Sequence, residues 1–160
     1  MDYKSKYLEM KLKYINAKNK LIGGANTTEV ELQTILYHGS SINNYKKLKE
    51  TGFDLELIGT GFGTTLGRGI YLTPHTQEAL SYAEDAKNIL AIPIIGLKAY
   101  KLTRSFSVDC AKHRRDLKKL TDEVKIDGYN ALESQCGNEI VIFPEFIDII
   151  KTEESEIIKI

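Results

Sequence analysis

Three short stretches of this chain carry the side chains best suited to chemistry. They place a histidine in a turn, two tyrosines eleven residues apart around a strand end, and a glutamate at the start of an apolar run: Leu36-Tyr37-His38-Gly39-Ser40, Gly67-Arg68-Gly69-Ile70-Tyr71 with Tyr82, and Gly137-Asn138-Glu139-Ile140-Val141-Ile142. Tyrosine faces can clamp a flat cationic ring through stacking and cation–π attraction. A fixed carboxylate can stabilise positive charge that develops on a sugar. The residue types therefore suit the departure of a cationic ring from a sugar.

Each stretch alone occurs by chance in many folds. All three in this order and at these separations resemble the ADP-ribosyltransferase superfamily, specifically its His-Tyr-Glu branch of poly(ADP-ribose) polymerases and diphtheria-toxin-like enzymes. The resemblance covers residues 34 to 150. It implies an enzyme that splits NAD at its nicotinamide bond, with NAD as substrate and no metal. It also implies an α+β, ADP-ribosyltransferase-like fold of two packed, largely antiparallel sheets with flanking helices.

The resemblance implies a role for each matching residue in the first stretch. His38 corresponds to the histidine that hydrogen-bonds the adenosine ribose of NAD. Gly39 corresponds to the glycine whose backbone receives the nicotinamide carboxamide, and Ser40 to a serine that also touches the ribose.

The other two stretches complete the family triad of His38, Tyr71 and Glu139. Tyr71 would lie beneath the nicotinamide and Tyr82 would be the second stacking tyrosine. Glu139 would bind the 2′-hydroxyl of the nicotinamide ribose and polarise the acceptor. One departure concerns Ala79, which stands where the polymerases usually have a serine that hydrogen-bonds the carboxamide; Thr76, one turn earlier, is a candidate to compensate.

Several activities fit this pattern. The leading hypothesis is transfer of ADP-ribose from NAD to a macromolecular acceptor, with NAD hydrolysis or catalytically inactive NAD or ADP-ribose binding as alternatives. Arginine-specific transfer through a Glu-x-Glu loop is disfavoured because Gly137 occupies the first glutamate position. The five glycines between Gly59 and Gly69 lack the spacing of a phosphate-binding loop and correspond to a loop that covers the bound dinucleotide.

Composition limits the class of protein. The 160 residues suffice for one domain, and 22 basic side chains balance 22 acidic ones, so no strong nucleic-acid signal exists. The sequence does not identify the acceptor, for which we expect a protein. The two cysteines are too few for a disulfide framework. Neither a transmembrane segment nor a secretory signal is evident, which favours a soluble intracellular protein.

The elements that must position these residues alternate along the chain. We predict strands at 34–37, 53–58, 70–73, 90–102, 131–134, 139–143 and 146–151. Helices are predicted from a Ser41 N-cap to Glu50 before Gly52, from Pro74 to about Ala86, and over 108–124. Strands exceed helices and cluster late, which favours a mixed α+β fold with largely antiparallel sheets.

The N-terminal segment differs from the rest. Residues 1 to 22 hold six lysines against Asp2 and Glu9, with apolar side chains at helical spacing, until Gly23-Gly24 stops the pattern. We therefore divide the chain into a basic amphipathic N-terminal helix and linker (1–24), a catalytic domain (30–152) and a C-terminal tail (153–160). The helix is suited to docking a partner, although packing on its own domain is the plainer alternative. This opening also resembles leader segments of giant DNA virus proteins, which would place the chain in host cytoplasm.

Overall fold

The structure is a computed structural model that describes residues 33–58, 65–106 and 110–160. Within these ranges the chain forms seven strands and three α-helices. In order they are β1 (Gln33–His38), α1 (Ile42–Thr51), β2 (Ile70–Leu72), α2 (Thr76–Ser81), β3 (Asn88–Ile95), β4 (Ala99–Lys101), α3 (Ala111–Ile126), β5 (Ala131–Glu133), β6 (Ile140–Ile142) and β7 (Glu156–Lys159). Two 3₁₀ segments, Pro144–Ile149 and Thr152–Glu154, lead from β6 to β7.

The strands form two sheets, which confirms the predicted α+β class. One sheet has the order β1-β3-β7 and is antiparallel throughout. The other has the order β2-β6-β5-β4 and is antiparallel except for the parallel pair β4–β5. The edge strands β1 and β2 meet where the backbones of Tyr37 and Thr73 exchange hydrogen bonds of 2.8 and 3.0 Å. A groove therefore opens between two sheet edges.

The main core lies between the sheets. Alternate side chains of a strand point to opposite faces, and Leu36, Leu90 and Ile92 turn inward from the first sheet with no exposed surface. Ile70 and Ile142, paired in register, face them from the second sheet. This apolar contact fixes which face of each sheet is internal, because a register slip of one residue would expose every inward side chain.

The outer faces of both sheets are covered by helices. Ile89 of β3 packs under Ala79 and Ala83, at and beyond α2. On the other side, Leu117 and Val124 of α3 pack against Leu132 of β5 and its neighbours. The molecule is thus layered as α2, sheet, sheet, α3.

Local signals explain the bounds of α1, which agree with the prediction. The Ser41 hydroxyl accepts a hydrogen bond from the Asn44 N–H at 3.3 Å, as an N-cap does. Gly52 ends the helix with a φ of +73° and donates its N–H to the Leu48 carbonyl at 2.9 Å. The strands expected near 34–37, 70–73, 131–134 and 139–143 are present as β1, β2, β5 and β6.

Two other predicted elements are shorter than expected. The helix expected from Pro74 to Ala86 is confined to Thr76–Ser81. The Asp85 carboxylate accepts from the N–H groups of Lys87 and Asn88, both at 3.0 Å, and so favours a turn over further helix. The single strand expected over 90–102 is two strands in different sheets, because Gly96, with a φ of +68°, turns the chain between them.

Two predicted strands are wrong. Residues 53–58 form turns, in which the Asp54 carboxylate accepts from the Glu56 N–H at 2.9 Å. The strand expected over 146–151 is largely the 3₁₀ segment Pro144–Ile149, where Pro144 presets the first turn.

The ends of the chain also differ from the sequence interpretation. Glu156–Lys159, which lies in the expected C-terminal tail, is β7 and pairs with β3. The basic helix expected over residues 1–24 and the centre of the glycine-rich loop, 59–64, lie outside the described residues. The predicted helix over 108–124 begins in the structure at Ala111 and runs to Ile126.

Candidate active site

A cleft of about 440 Å³ opens between the edge strands β1 and β2, under α2 and beside α1. It contains every residue that the sequence singled out for chemistry, although these come from four separate parts of the chain: His38, Gly39, Ser40, Tyr71, Tyr82 and Glu139. The join between the two sheets at Tyr37 and Thr73 forms part of its wall. The polar groups of the cleft thus come from both sheet edges, from α1 and α2, and from the turns beside them.

The turn after β1 is held from beneath by a buried tyrosine. Tyr45 of α1 has no exposed surface, and its hydroxyl accepts from the Ser40 N–H at 2.6 Å and donates to the Asn88 carbonyl at 3.0 Å. The Ser40 hydroxyl in turn accepts from the Asn44 side-chain amide at 2.9 Å. The His38-Gly39-Ser40 turn is therefore fixed by α1 and by the start of β3 before any ligand binds.

His38 is kept neutral by its surroundings. Burial lowers the pKa of its imidazole below the ordinary value, and a hydrogen bond with the Tyr71 backbone opposes this only in part. The ring also packs edge-on against Phe53, with centroids 5.6 Å apart. A neutral imidazole with one nitrogen engaged on the backbone can offer the other nitrogen to a hydroxyl group.

Gly39 lies directly against the end of α2. A Cβ at this position would overlap the Ala79 carbonyl oxygen and come within 2.9 Å of the Tyr82 Cβ. Only glycine allows this approach. Gly39 therefore sets the distance between the β1 turn and the helix that carries Tyr82.

Tyr71 uses its hydroxyl to hold the chain that precedes β2. The hydroxyl donates to the Gly67 carbonyl at 2.7 Å and accepts from the Leu66 N–H at 3.0 Å. Burial raises the pKa of Tyr71 far above its usual range, so the phenol stays protonated. With the hydroxyl engaged by protein, the ring is the part of Tyr71 that a ligand can use.

Tyr82, in contrast, is 62% exposed at the C-terminal end of α2. Partial burial and the charges of Glu139 and Glu78 raise its pKa. A large aromatic ring left in solvent at the rim of a cleft is available to stack on a bound ring.

Glu139 stands at the end of a tight turn between β5 and β6. The Ser134 hydroxyl donates to the Asn138 side-chain oxygen at 2.8 Å and accepts from the Glu139 N–H at 3.1 Å. The Ser134 N–H donates to the Glu139 carbonyl at 2.8 Å, and Gly137 takes the positive φ of 75° that the turn requires. The backbone of Glu139 is thus held by two hydrogen bonds to Ser134.

The Glu139 carboxylate is only partly solvated. Burial raises its pKa, and the like charge of Glu78 raises it further. Its side chain makes no hydrogen bond or ion pair within the described part of the chain. It is therefore free to act on a ligand.

The position that departs from the family pattern also lines the cleft. Ala79 is buried and offers a methyl group there, whereas Thr76 is not among the lining residues. The structure therefore gives no support to compensation by Thr76.

The Arg68 side chain donates a hydrogen bond to the Leu55 carbonyl at 3.2 Å. Cys110 and Cys136 are free thiols.

Sequence reasoning missed several residues of the cleft. Asn44 and Lys47 line it from α1, and Glu78 lines it from α2. The Ser41 cap signal could have indicated Asn44 and Lys47, since it fixes the start of α1 next to the His38 turn. Ser134 and Glu78 act across distances that only the fold sets, and no local pattern marks them.

One partly desolvated cleft thus contains two aromatic rings, a neutral histidine and a carboxylate that has no partner among the described residues. Such a groove can hold a flat cationic ring and stabilise positive charge on an attached sugar. In the ranges that the structure describes, no three His, Cys, Asp or Glu side chains are grouped to hold a metal ion.

Of the helices within the described ranges, none is long and apolar enough to cross a bilayer.

Comparison with known proteins agrees with this chemistry. The sequence profile of the family described as "Poly(ADP-ribose) polymerase catalytic domain" matches residues 4–125, which is well over half of the chain. The matched range includes the His38 turn, Tyr71 and Tyr82 and ends before the turn that carries Glu139. No curated protein sequence matches the chain.

Proposed function

The chain belongs to the family of poly(ADP-ribose) polymerase catalytic domains, and on that premise we propose that it transfers ADP-ribose from NAD to a protein acceptor and releases nicotinamide. NAD is the substrate of this family, and NAD-dependent ADP-ribosyl transfer is its general activity. The acceptor and the role of each residue are our proposal. We assign the catalytic domain to residues 30–152 together with β7, because β7 extends the first sheet.

The observation that carries the proposal is the convergence of six residues on one cleft. His38, Gly39 and Ser40 lie on the turn after β1, while Tyr71, Tyr82 and Glu139 come from β2, from α2 and from the β5–β6 turn. This cleft differs from an ordinary surface groove because it brings together a histidine, two tyrosines and a glutamate that has no partner among the described residues.

Binding in this scheme divides NAD between two parts of the cleft. His38 and Ser40 hold the adenosine ribose, near Asn44 and Lys47 of α1. The positive charge of Lys47 suits the neighbouring phosphates. The Gly39 backbone and the rings of Tyr71 and Tyr82 hold the nicotinamide.

The chemical step breaks the bond between the nicotinamide nitrogen and C1′ of the ribose. The bonding electron pair leaves with the ring, so the pyridinium becomes neutral nicotinamide and positive charge appears on the sugar. Glu139 accepts a hydrogen bond from the ribose 2′-hydroxyl and stabilises that charge. An acceptor oxygen or nitrogen then bonds to C1′, and its proton passes to a carboxylate or to solvent.

Two related activities remain as second candidates. Water could take the place of the acceptor, which would make the protein an NAD glycohydrolase. The second is binding of NAD or ADP-ribose without turnover. It is suggested by buried Ala79, which replaces the serine that usually bonds the carboxamide; loss of that hydrogen bond costs about 1 kcal/mol.

Incubation of the full chain with NAD labelled in the adenosine half separates the three activities. We expect label on protein in a cell lysate together with free nicotinamide. Free ADP-ribose without labelled protein would indicate hydrolysis, and protection of the chain against thermal unfolding without nicotinamide release would indicate binding only. Glu139→Gln is the negative control for turnover.

A further inference from the structure

Glu78 is an acidic side chain of the cleft for which the proposed transfer has so far no use. It lies on α2, one residue before Ala79, and lines the same cleft as Glu139. Within the described part of the chain its carboxylate has no hydrogen bond or ion pair. Outside the cleft, by contrast, Glu133 pairs with Lys101 at 3.2 Å and Glu145 with Lys125 at 2.8 Å.

Glu78, Glu139 and Tyr82 line the same cleft. Burial is the first cause of the raised pKa of both Tyr82 and Glu139. The charge of Glu78 raises both pKa values further, and at Tyr82 the charge of Glu139 does so as well. Among the described residues no basic group offsets this at Glu139. Two like charges in a partly desolvated groove are unfavourable unless a cation joins them.

A charge count along the reaction shows that the bound substrate supplies one positive charge to two carboxylates. Before cleavage, the pyridinium supplies one positive charge beside the two carboxylates. After cleavage, nicotinamide is neutral and the sugar holds that single positive charge. One of the two carboxylates therefore lacks a cationic partner both before and after cleavage, and still lacks one when the acceptor approaches.

We propose, on the premise of the function above, that Glu78 selects a cationic acceptor and that this acceptor is the guanidinium of an arginine in a protein. A guanidinium is planar and carries five N–H donors, so it can bridge two carboxylates, whereas an ammonium acts as a point charge. The sequence disfavours a second glutamate two residues before Glu139, where Gly137 stands. The second carboxylate comes instead from α2.

The transfer step balances in this arrangement. A guanidinium nitrogen forms a bond to C1′ as the bond between C1′ and nicotinamide breaks. That nitrogen gives up one proton to the Glu78 carboxylate, which later releases it to solvent. The products are an N-ribosylated arginine, neutral nicotinamide and one proton.

The test uses the full chain, NAD and three peptides that differ at one position: arginine, lysine or citrulline. We measure labelled peptide and released nicotinamide for the native protein, Glu78→Gln, Glu78→Asp and the control Glu84→Gln. Glu84 is an exposed carboxylate close to α2 that does not line the cleft.

We expect the native protein and Glu84→Gln to modify the arginine peptide in preference to the other two. Glu78→Gln should lower the ratio of arginine modification to nicotinamide release by roughly ten- to a hundredfold, the loss of one charge-assisted hydrogen bond. Glu78→Asp keeps the charge and should recover part of this ratio of arginine modification to nicotinamide release. Glu78→Gln should also shift the acidic limb of nicotinamide release to lower pH, because Glu139 loses a like charge.

Two results would overturn the inference in different ways. Equal modification of arginine and lysine peptides, or an unchanged ratio in Glu78→Gln, would refute the role of Glu78 and leave the proposed function intact. Absence of nicotinamide release by the native protein would refute the proposed function and the inference with it.

Discussion

Glu139 is the side chain on which the proposed reaction most directly depends. Its backbone is held by Ser134 while its carboxylate stays unpaired within the described residues. A carboxylate positioned in this way can stabilise positive charge in a transition state with little further loss of conformational entropy.

Replacement of Glu139 by glutamine keeps the shape and removes the charge. We expect NAD binding to persist and transfer to fall by about 10²–10³-fold, by analogy with loss of one transition-state donor. Nicotinamide release and calorimetric NAD titration measure the two quantities. The matched control is Glu133→Gln, six residues earlier in β5 and outside the cleft; transfer by Glu139→Gln within threefold of this control would refute the assignment.

Tyr71 and Tyr82 should act as one clamp on the nicotinamide ring. Each change to alanine is expected to weaken binding of nicotinamide or benzamide by about 0.5–2 kcal/mol, and the double change by less than the sum. Tyr82→Phe keeps the ring and should bind as the native protein does. Tyr71→Phe also keeps the ring but loses the bonds to Leu66 and Gly67, so it separates stacking from support of the chain before β2. Equal mimic affinity in the native protein and the double alanine variant would exclude stacking.

Helix α2 has a fixed separation from strand β1 because Gly39 has no side chain. In Gly39→Ala the new methyl group must displace Ala79 and Tyr82, and overpacking of this kind costs about 1–3 kcal/mol. We expect lower thermal stability and weaker NAD binding. Gly96→Ala is the control: it strains a positive φ with no atom within 4 Å, so it should lose stability but not NAD affinity. Unchanged NAD affinity in Gly39→Ala would show that the contact with α2 does not shape the cleft.

The sequence predicts elements well where a local hydrogen bond defines them. Ser41 and Gly52 mark both ends of α1 because each acts within one turn of the helix. Sequence-based prediction fails where tertiary packing decides where an element ends. The run from Leu90 to Leu102 is apolar throughout, and only the fold reveals that Gly96 passes the chain from one sheet to the other.

The same limit applies to the site. His38, Tyr71 and Glu139 belong to stretches with a recognisable order and spacing, and their convergence follows from the pairing of β2 with β6 and the meeting of β1 with β2. Glu78 has no such signal, because its approach to Glu139 depends on how closely α2 packs on Gly39. Gly39 permits this close packing, but a glycine in the sequence does not reveal which helix packs against it.

As a whole, the molecule should respond differently to loss of its two ends. Removal of residues 1–24 is expected to leave NAD consumption unchanged, because the proposed site residues all follow residue 30; the family match beginning at residue 4 makes this a stringent test. Removal of 156–160 deletes β7, which pairs with β3 over four residues, and should lower the melting temperature markedly.

Nicotinamide release and thermal unfolding of both truncated proteins measure these effects at equal folded concentration. A more than tenfold loss of turnover in the first variant, without a fall in melting temperature, would show that the N-terminal segment completes the site. An unchanged melting temperature in the second variant would show that β7 adds little to the sheet.

The Tyr45 hydroxyl joins the Ser40 turn to the carbonyl of Asn88, which follows Tyr45 by 43 residues in the chain. During synthesis, the Ser40 turn therefore lacks part of its support until the start of β3 has left the ribosome, and the Glu139 turn emerges later still. The cleft is complete only once the Glu139 turn has been made, and under the proposed function a chain that stops short of Glu139 lacks the carboxylate on which turnover depends.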